Sequence, residues 1–187
     1  MKRKIIAITG GIGSGKSEVT CILREMGYAT VDCDELARRI ADEPQVVAAV
    51  EHLLGAESVT NGAINRAKVR ERVFADENLL KKYDEIFFGR VKQALNDFVE
   101  RTEGAVFVEI AVIDAFEFRF DEIWLVESPV QTRIDRVTVR DGVSAANVEH
   151  IMKRQRYGNF TRVIRNDGSI AELKEQVLLA LEGAKIV

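Results

Sequence analysis

The sequence predicts an α/β fold in three layers, a parallel sheet covered by helices on both faces. Two observations carry that expectation. Short apolar runs rich in β-branched residues are separated by segments of helical periodicity, the pattern of a parallel sheet buried on both sides. A glycine-rich stretch, Gly10 to Ser17, stands between the first such run and the first helical segment.

The elements follow in order. Lys4 to Thr9 is short and bounded by glycines, a buried strand. From Lys16 to Met26 the residues Val19, Ile22, Leu23 and Met26 recur at helical spacing, and Gly27 supplies the stop. Tyr28 to Val31 is a second strand ending in Asp32, Cys33 and Asp34. A helix begins over Leu36 to Ile40, and Pro44 to Glu103 is helical in pattern, with a turn at Asn61-Gly62. Strand character returns at Ala105 to Ile113 and Glu122 to Val126. Gln131 to Arg140 and Ala145 to Gln155 are helical, broken by Asp141-Gly142. Arg162 to Ile164 is a short last strand. Ile170 to Leu181 is an amphipathic helix with Leu173, Val177 and Leu181 on one face.

A length of 187 residues fits one domain at ~150 residues each, with room for an inserted subdomain. The expected division is a core of about 1–40 and 104–187, a helical insertion of about 41–103 carrying the second substrate, and a lid of about 136–156. Hydrophobic residues at 47% and charged ones at 30% describe a soluble globule. A net charge of −3 gives no electrostatic case for nucleic acid or membrane as partner. The apolar run Ile5 to Ile8, after Lys2, Arg3 and Lys4, is too short for an export signal. Cys21 and Cys33 lack metal-site spacing, and Cys21 is expected as a small core residue. His52 and His150 are expected on the surface. A reducing cytoplasm is the implied setting.

Gly10, Gly11, Ile12, Gly13, Ser14, Gly15, Lys16 and Ser17 match GxxxxGK[ST] without exception. Triphosphate oxygens must be ringed by backbone N–H groups, and side chains would block so close an approach; glycine removes them. The loop opens into a helix whose first N–H groups and dipole favour anions. Lys16 supplies a cation to the β- and γ-phosphates, and the Ser17 hydroxyl suits Mg²⁺. The strand–loop–helix context identifies a P-loop NTPase fold that binds ATP. The NKxD and DxxG sequences of regulatory GTPases are absent from the chain, and helicase-type ATPases are longer. A small kinase remains.

Other residues are placed for chemistry. Asp32 and Asp34 sit at the end of the second strand, where ligands of such sheets bind. One of them orients and deprotonates an acceptor hydroxyl or helps hold Mg²⁺ through water; the alternative is that Asp34 caps a helix. Arg133, Arg136 and Arg140 share a helix face, with Arg154 beyond the break. Guanidinium groups there suit a lid over ATP. Arg140 is taken as functional, and Arg133 as part of a solvated face paired with Asp135 and Glu149. Glu109, at a strand end, is a further Mg²⁺ candidate. Phe87, Phe88, Phe116, Phe118, Phe120 and Trp124 are expected in the core.

With those residues in place, the chain resembles the dephospho-coenzyme A kinase family almost end to end. The resemblance rests on ITGGIGSGKS from Ile8, VDCDELAR from Val31 and NGAINRAKVRERVF from Asn61. It continues through RVTVRDGVS from Arg136, IMKRQ from Ile151 and VIRNDGSIAEL from Val163. It implies transfer of the ATP γ-phosphoryl group to the ribose 3′-hydroxyl of dephospho-coenzyme A. It also implies Asp34 as base with Asp32 beside it and Arg38 at the acceptor. Lys16 and Arg140 would stabilise the transferring group, and Asn166 would lie beside the adenine.

Besides Glu18 in place of a threonine after the loop serine and Cys33 in place of an alanine, three places depart from the family pattern. Phe87, Phe88 and Gly89 stand where it has a His-Pro pair, and Glu109 to Ile113 where it has D-x-P-L-L. The acidic position that follows falls at Asp114 or Glu117, around Ala115. These changes cluster on the acceptor side. A related nucleoside, nucleotide or sugar kinase, or an ATP-binding module without catalysis, stays open on that account.

Overall fold

The computed structural model describes residues 3–73, 76–113, 117–155 and 157–186; Asp114, Ala115 and Phe116 lie outside them. β1 (Lys4–Gly10) leads through a loop into α1 (Lys16–Glu25), and β2 (Ala29–Asp32) follows. Next come α2 (Cys33–Ala41) and α3 (Pro44–Leu54). A hairpin of β3 (Val59–Thr60) and β4 (Ala63–Ile64) precedes α4 (Arg66–Val73) and α5 (Glu77–Arg101). β5 (Ala105–Glu109), β6 (Glu122–Glu127), α6 (Val130–Asp141), α7 (Ala145–Arg154), β7 (Arg162–Arg165) and α8 (Ile170–Gly183) complete the order.

Five strands form one parallel sheet in the order β2-β5-β1-β6-β7, with helices on both sides. The register sets Ile8 of β1 opposite Glu109 of β5 and Trp124 of β6. On one face Ile6, Ile8, Phe107 and Trp124 pack with Val19, Ile22 and Leu23 of α1 and Leu173, Val177 and Leu181 of α8. Ala7, Val106, Val108 and Leu125, on the other face, are buried as well. Apolar burial of this kind stabilises by roughly 1.5–3 kcal/mol per large side chain.

The chain divides into two compact units, residues 1–32 with 99–187 and residues 33–98. The first holds the sheet. In the second, α2, α3, α4 and α5 bury Leu36, Ile40, Val46, Val50, Leu54, Val69, Leu95 and neighbours. Arg72 is bonded to the Leu54 carbonyl and lies 2.6 Å from Glu57.

Several expectations are corrected. β5 ends at Glu109 rather than Ile113: β2 stops at Asp32, and after Ile110 donates to Ile8 the pairing with β1 ends, while β1 runs on to Gly10 against β6. The segment from Pro44 is not helical throughout; β-branched Val59 and Thr60 form a hairpin. Its Asn61-Gly62 turn has φ of 52° and 76°, the twist a two-residue hairpin needs. Cys21 is half-buried and Cys33 is the buried cysteine. Of the described aromatics expected inside, Trp124 is fully buried, while Phe87, Phe88, Phe118 and Phe120 are half-buried. His52 and His150 are exposed on helices.

The start of β6 is pinned by charge. Glu122 accepts from Arg162 Nε at 2.8 Å and Trp124 Nε1 at 3.0 Å, with Lys4 Nζ 3.7 Å away. Burial by itself would raise the Glu122 carboxyl, but the Arg162 and Trp124 hydrogen bonds and the charges of Arg162 and Lys4 outweigh it and hold it below the usual range. Its folded value therefore lies below its unfolded one, so this stability is present at neutral pH and is lost as pH falls through the folded value. Glu122→Gln is expected to cost about 2 kcal/mol in urea unfolding at pH 7 and to flatten the acid limb of stability against pH.

Candidate active site

The loop between β1 and α1 is built at the centre of the sheet. Gly15 precedes the helix at φ 95°, a left-handed conformation that glycine adopts without strain, and as a glycine it offers no side chain to cap the helix start. The start of α1 therefore lines the loop's concavity, where the helix dipole favours an anion. Lys16 Nζ donates to the Gly10 carbonyl at 3.0 Å across that concavity.

Three successive loop carbonyls are taken by side chains from elsewhere. Ile12 O accepts from Arg133 Nε at 2.9 Å, Gly13 O from Arg136 Nη1 at 3.4 Å, and Ser14 O from Asn166 Nδ2 at 2.9 Å. In a trans peptide the N–H points opposite the carbonyl. The N–H groups of Gly13 and Gly15 are thereby aimed the other way, while that of Ser14 closes a turn onto Gly11 O at 3.0 Å. This is the geometry of an anion-binding nest.

Glu109 ends β5 beside the start of α1 and is 8% exposed. It accepts from Ser17 Oγ at 2.7 Å and Thr20 Oγ1 at 2.8 Å. Asp32 is its register partner on β2, so the two residues stand on one sheet face at one edge. Hydroxyl and carboxylate oxygens are the donors a hard dication takes. Among the described residues no cluster of three or more His, Cys, Asp or Glu could hold a metal by itself. Mg²⁺ here would complete its shell with phosphate oxygens and water, as it usually does.

A cavity of about 540 Å³ opens over the loop, lined by Gly15, Lys16, Ser17, Arg136, Arg140 and Asn166, with Gly168 to Ile170 among its other walls. The structure thus brings together the expected residues Gly13, Gly15, Lys16, Ser17, Arg140 and Asn166. Arg140 grips Asp141 through two bonds of 2.7 Å. That hydrogen bonding holds Asp141 low and Arg140 high. Gly11 and Ile12 lie on the loop's outer side, against Arg133, Gln155 and Tyr157. Asn166 is 5% exposed, and its side chain amide is committed to Ser14 O and Arg136 Nη2.

Asp34 and Arg38 belong to the other unit. Asp34 is the second residue of α2, so it does not cap the helix as the alternative reading had it; it is an exposed first-turn acid, favourable to the dipole. Arg38 Nε donates to the Asp34 backbone carbonyl at 3.2 Å. Phe87 packs on Tyr83, centroids 5.1 Å apart, on α5.

Arg133 is not part of a solvated face. It is half-buried and holds the loop, while Asp135 accepts from Gln131 at 2.8 Å. Arg136 and Gln155 also serve the loop without having been singled out for that role. The shared helix face of Arg133, Arg136 and Arg140 was the available signal.

Fold and loop together define a P-loop kinase. The Dephospho-CoA kinase family matches residues 4–172. The Dephospho-CoA kinase of Burkholderia pseudomallei is 35% identical over 184 residues, covering 92% of this chain and 91% of its own. A crystal structure of a Thermus thermophilus protein superposes with a TM-score of 0.88 at 32% identity, covering 98% of each chain. The Dephospho-CoA kinase from Campylobacter jejuni shares the fold at a TM-score of 0.68 and 18% identity, covering 97% of each. The chain belongs to the dephospho-CoA kinase family.

Asn166→Ala would leave the Ser14 carbonyl without its donor in a buried setting. A loss of roughly 1–3 kcal/mol is expected, read from urea unfolding without ligands.

Proposed function

We propose that the protein transfers the γ-phosphoryl group of ATP to the 3′-hydroxyl of dephospho-coenzyme A, the closing step of coenzyme A synthesis. The observation that carries this reading is the family match over residues 4–172, which runs through the loop, α2 and the α6–α7 pair. In it the loop N–H groups hold the β- and γ-phosphates, and Lys16 exchanges the Gly10 carbonyl for phosphate oxygens. Asp34 takes the proton of the acceptor hydroxyl as its oxygen bonds to the γ-phosphorus. The bond from that phosphorus to the β-bridging oxygen breaks, and ADP leaves. Arg140 trades Asp141 for the charge spread over the transferring oxygens. Asp32 and Arg38 hold the acceptor, Asn166 flanks the adenine while bracing the loop, and the stretch of about 41–103 carries the acceptor-binding surface.

Ser17, with Glu109 behind it, is the Mg²⁺ position in this reading; the ion would neutralise phosphate charge when bound. The α6–α7 pair acts as a lid, because water must be kept from ATP until the acceptor arrives. No helix of the described residues is long and apolar enough to cross a membrane, and a cytoplasmic location is part of the proposal. A different small acceptor is the second reading, favoured by Phe87, Phe88 and Gly89 at the place of the family's His-Pro pair.

The test is ADP release by purified protein with ATP and Mg²⁺, with and without dephospho-coenzyme A. Release that depends on this acceptor is expected; release with another nucleoside or sugar instead would favour the second reading. Lys16→Ala should lower turnover by at least about 10²-fold, and near-wild-type activity would remove the loop from the chemistry. Asp34→Asn should lower kcat by about 10²–10⁴-fold with ATP affinity nearly unchanged. A variant that chiefly unfolds, seen in its thermal melt, would point to a structural role instead.

A further inference from the structure

Ile12 stands on the outer side of the phosphate loop, and three separate parts of it are held. Its N–H donates to Gln155 Oε1 at 3.0 Å. Its carbonyl accepts from Arg133 Nε at 2.9 Å. Its side chain packs on the cluster of Ile134, Val137 and Val148 between α6 and α7. The two polar holders are tied to each other, with Arg133 Nη2 3.4 Å from Gln155 Oε1 and the Tyr157 hydroxyl donating to the same oxygen at 3.2 Å. A Cβ on Gly11 would collide with the Arg133 guanidinium and the Tyr157 hydroxyl, so the loop and this cluster meet without slack.

We propose that Arg133 and Gln155 are positioning residues that latch the phosphate loop to the α6–α7 pair through Ile12, so that the grip on the β-phosphate depends on where those helices stand. Neither residue lines the cavity; both act through the backbone. Drawing the Ile12 carbonyl outward fixes the plane of the peptide whose N–H, on Gly13, faces the nest. Removing the acceptor on Gln155 leaves the Ile12 N–H without its partner in a half-buried place, and the neighbouring Gly11–Ile12 peptide then keeps only the Ser14 N–H on its Gly11 carbonyl. The helix that supplies Arg133 also supplies Arg136 and Arg140, so a shift of α6 reaches the loop and the cavity wall together.

The inference rests on the cavity being the ATP site, and its test separates the two claims. Calorimetric affinities for ATP, ADP and AMP would be measured on the wild type, Gln155→Leu and Arg133→Met, without acceptor. AMP ends at the α-phosphate and does not reach the β-phosphate grip. Both variants are expected to bind ATP and ADP about tenfold more weakly, with AMP affinity within about twofold and each fold verified by thermal melting. A loss equal for AMP and ADP, or ADP binding unchanged in both variants, overturns the latch. A wild type with no preference for ATP over AMP overturns the phosphate-site reading beneath it.

Discussion

A peptide group in the loop from Gly10 to Ser17 carries a carbonyl and an N–H on opposite sides of one plane, and each needs a partner. The carbonyls of Ile12, Gly13 and Ser14 find theirs in Arg133, Arg136 and Asn166. What is left over is a set of N–H groups facing one space, and much else in the first unit serves that asymmetry. Glycine lets the backbone curl and lets foreign side chains come close. The central position of β1 brings donors to the loop from α6, on one side of the chain's course, and from the segment after β7, far along it. An anion site made of peptide needs a protein that satisfies the wrong half of each peptide elsewhere.

The acidic side of the same region follows a different logic. Glu109 is nearly buried, yet its two oxygens accept hydroxyl hydrogen bonds from Ser17 and Thr20, which soften the cost of burying a carboxylate. Asp32 stands beside it in register. Two acids next to a polyphosphate site would repel the substrate unless a cation lay between, and an oxygen-rich corner suits a hard dication better than a transition metal. The basic groups, Arg136 and Arg140, lie in the cavity wall formed by α6. Glu109 and Asp32 thus stand on strand ends, while the two arginines stand on a helix.

What was legible in the sequence was local. Strand, glycine loop, lysine and helix sit within a few residues, so the chemistry of Gly10 to Ser17 could be read directly, as could the apolar face of Leu173, Val177 and Leu181. The bracing of the loop could not. Arg133 meets Ile12 across 121 residues of sequence, and a guanidinium on an amphipathic helix looks the same whether it meets water or a buried carbonyl. The end of β5 is hidden for a related reason: Ile110 to Ile113 has every local mark of a strand, but β2 stops at Asp32 and β1 continues against β6 alone. Asp34 looks like a helix boundary in the sequence because Leu36 begins the visible apolar pattern, whereas the backbone is already helical at Cys33.

The central place of β1 has a consequence for the chain while it is being made. Lys4 to Gly10 pairs with β5 on one side and β6 on the other, so this strand waits for residues from 105 onward before either edge is covered. The intervening residues 33–98 form a compact unit contiguous in sequence, able to condense earlier on short-range contacts, while the sheet requires closure of a long loop. Until then a ribosome would carry an apolar, β-branched segment with both edges open, the kind of segment that invites pairing with a neighbouring chain. The order of events in synthesis therefore runs opposite to the order of importance in the finished fold.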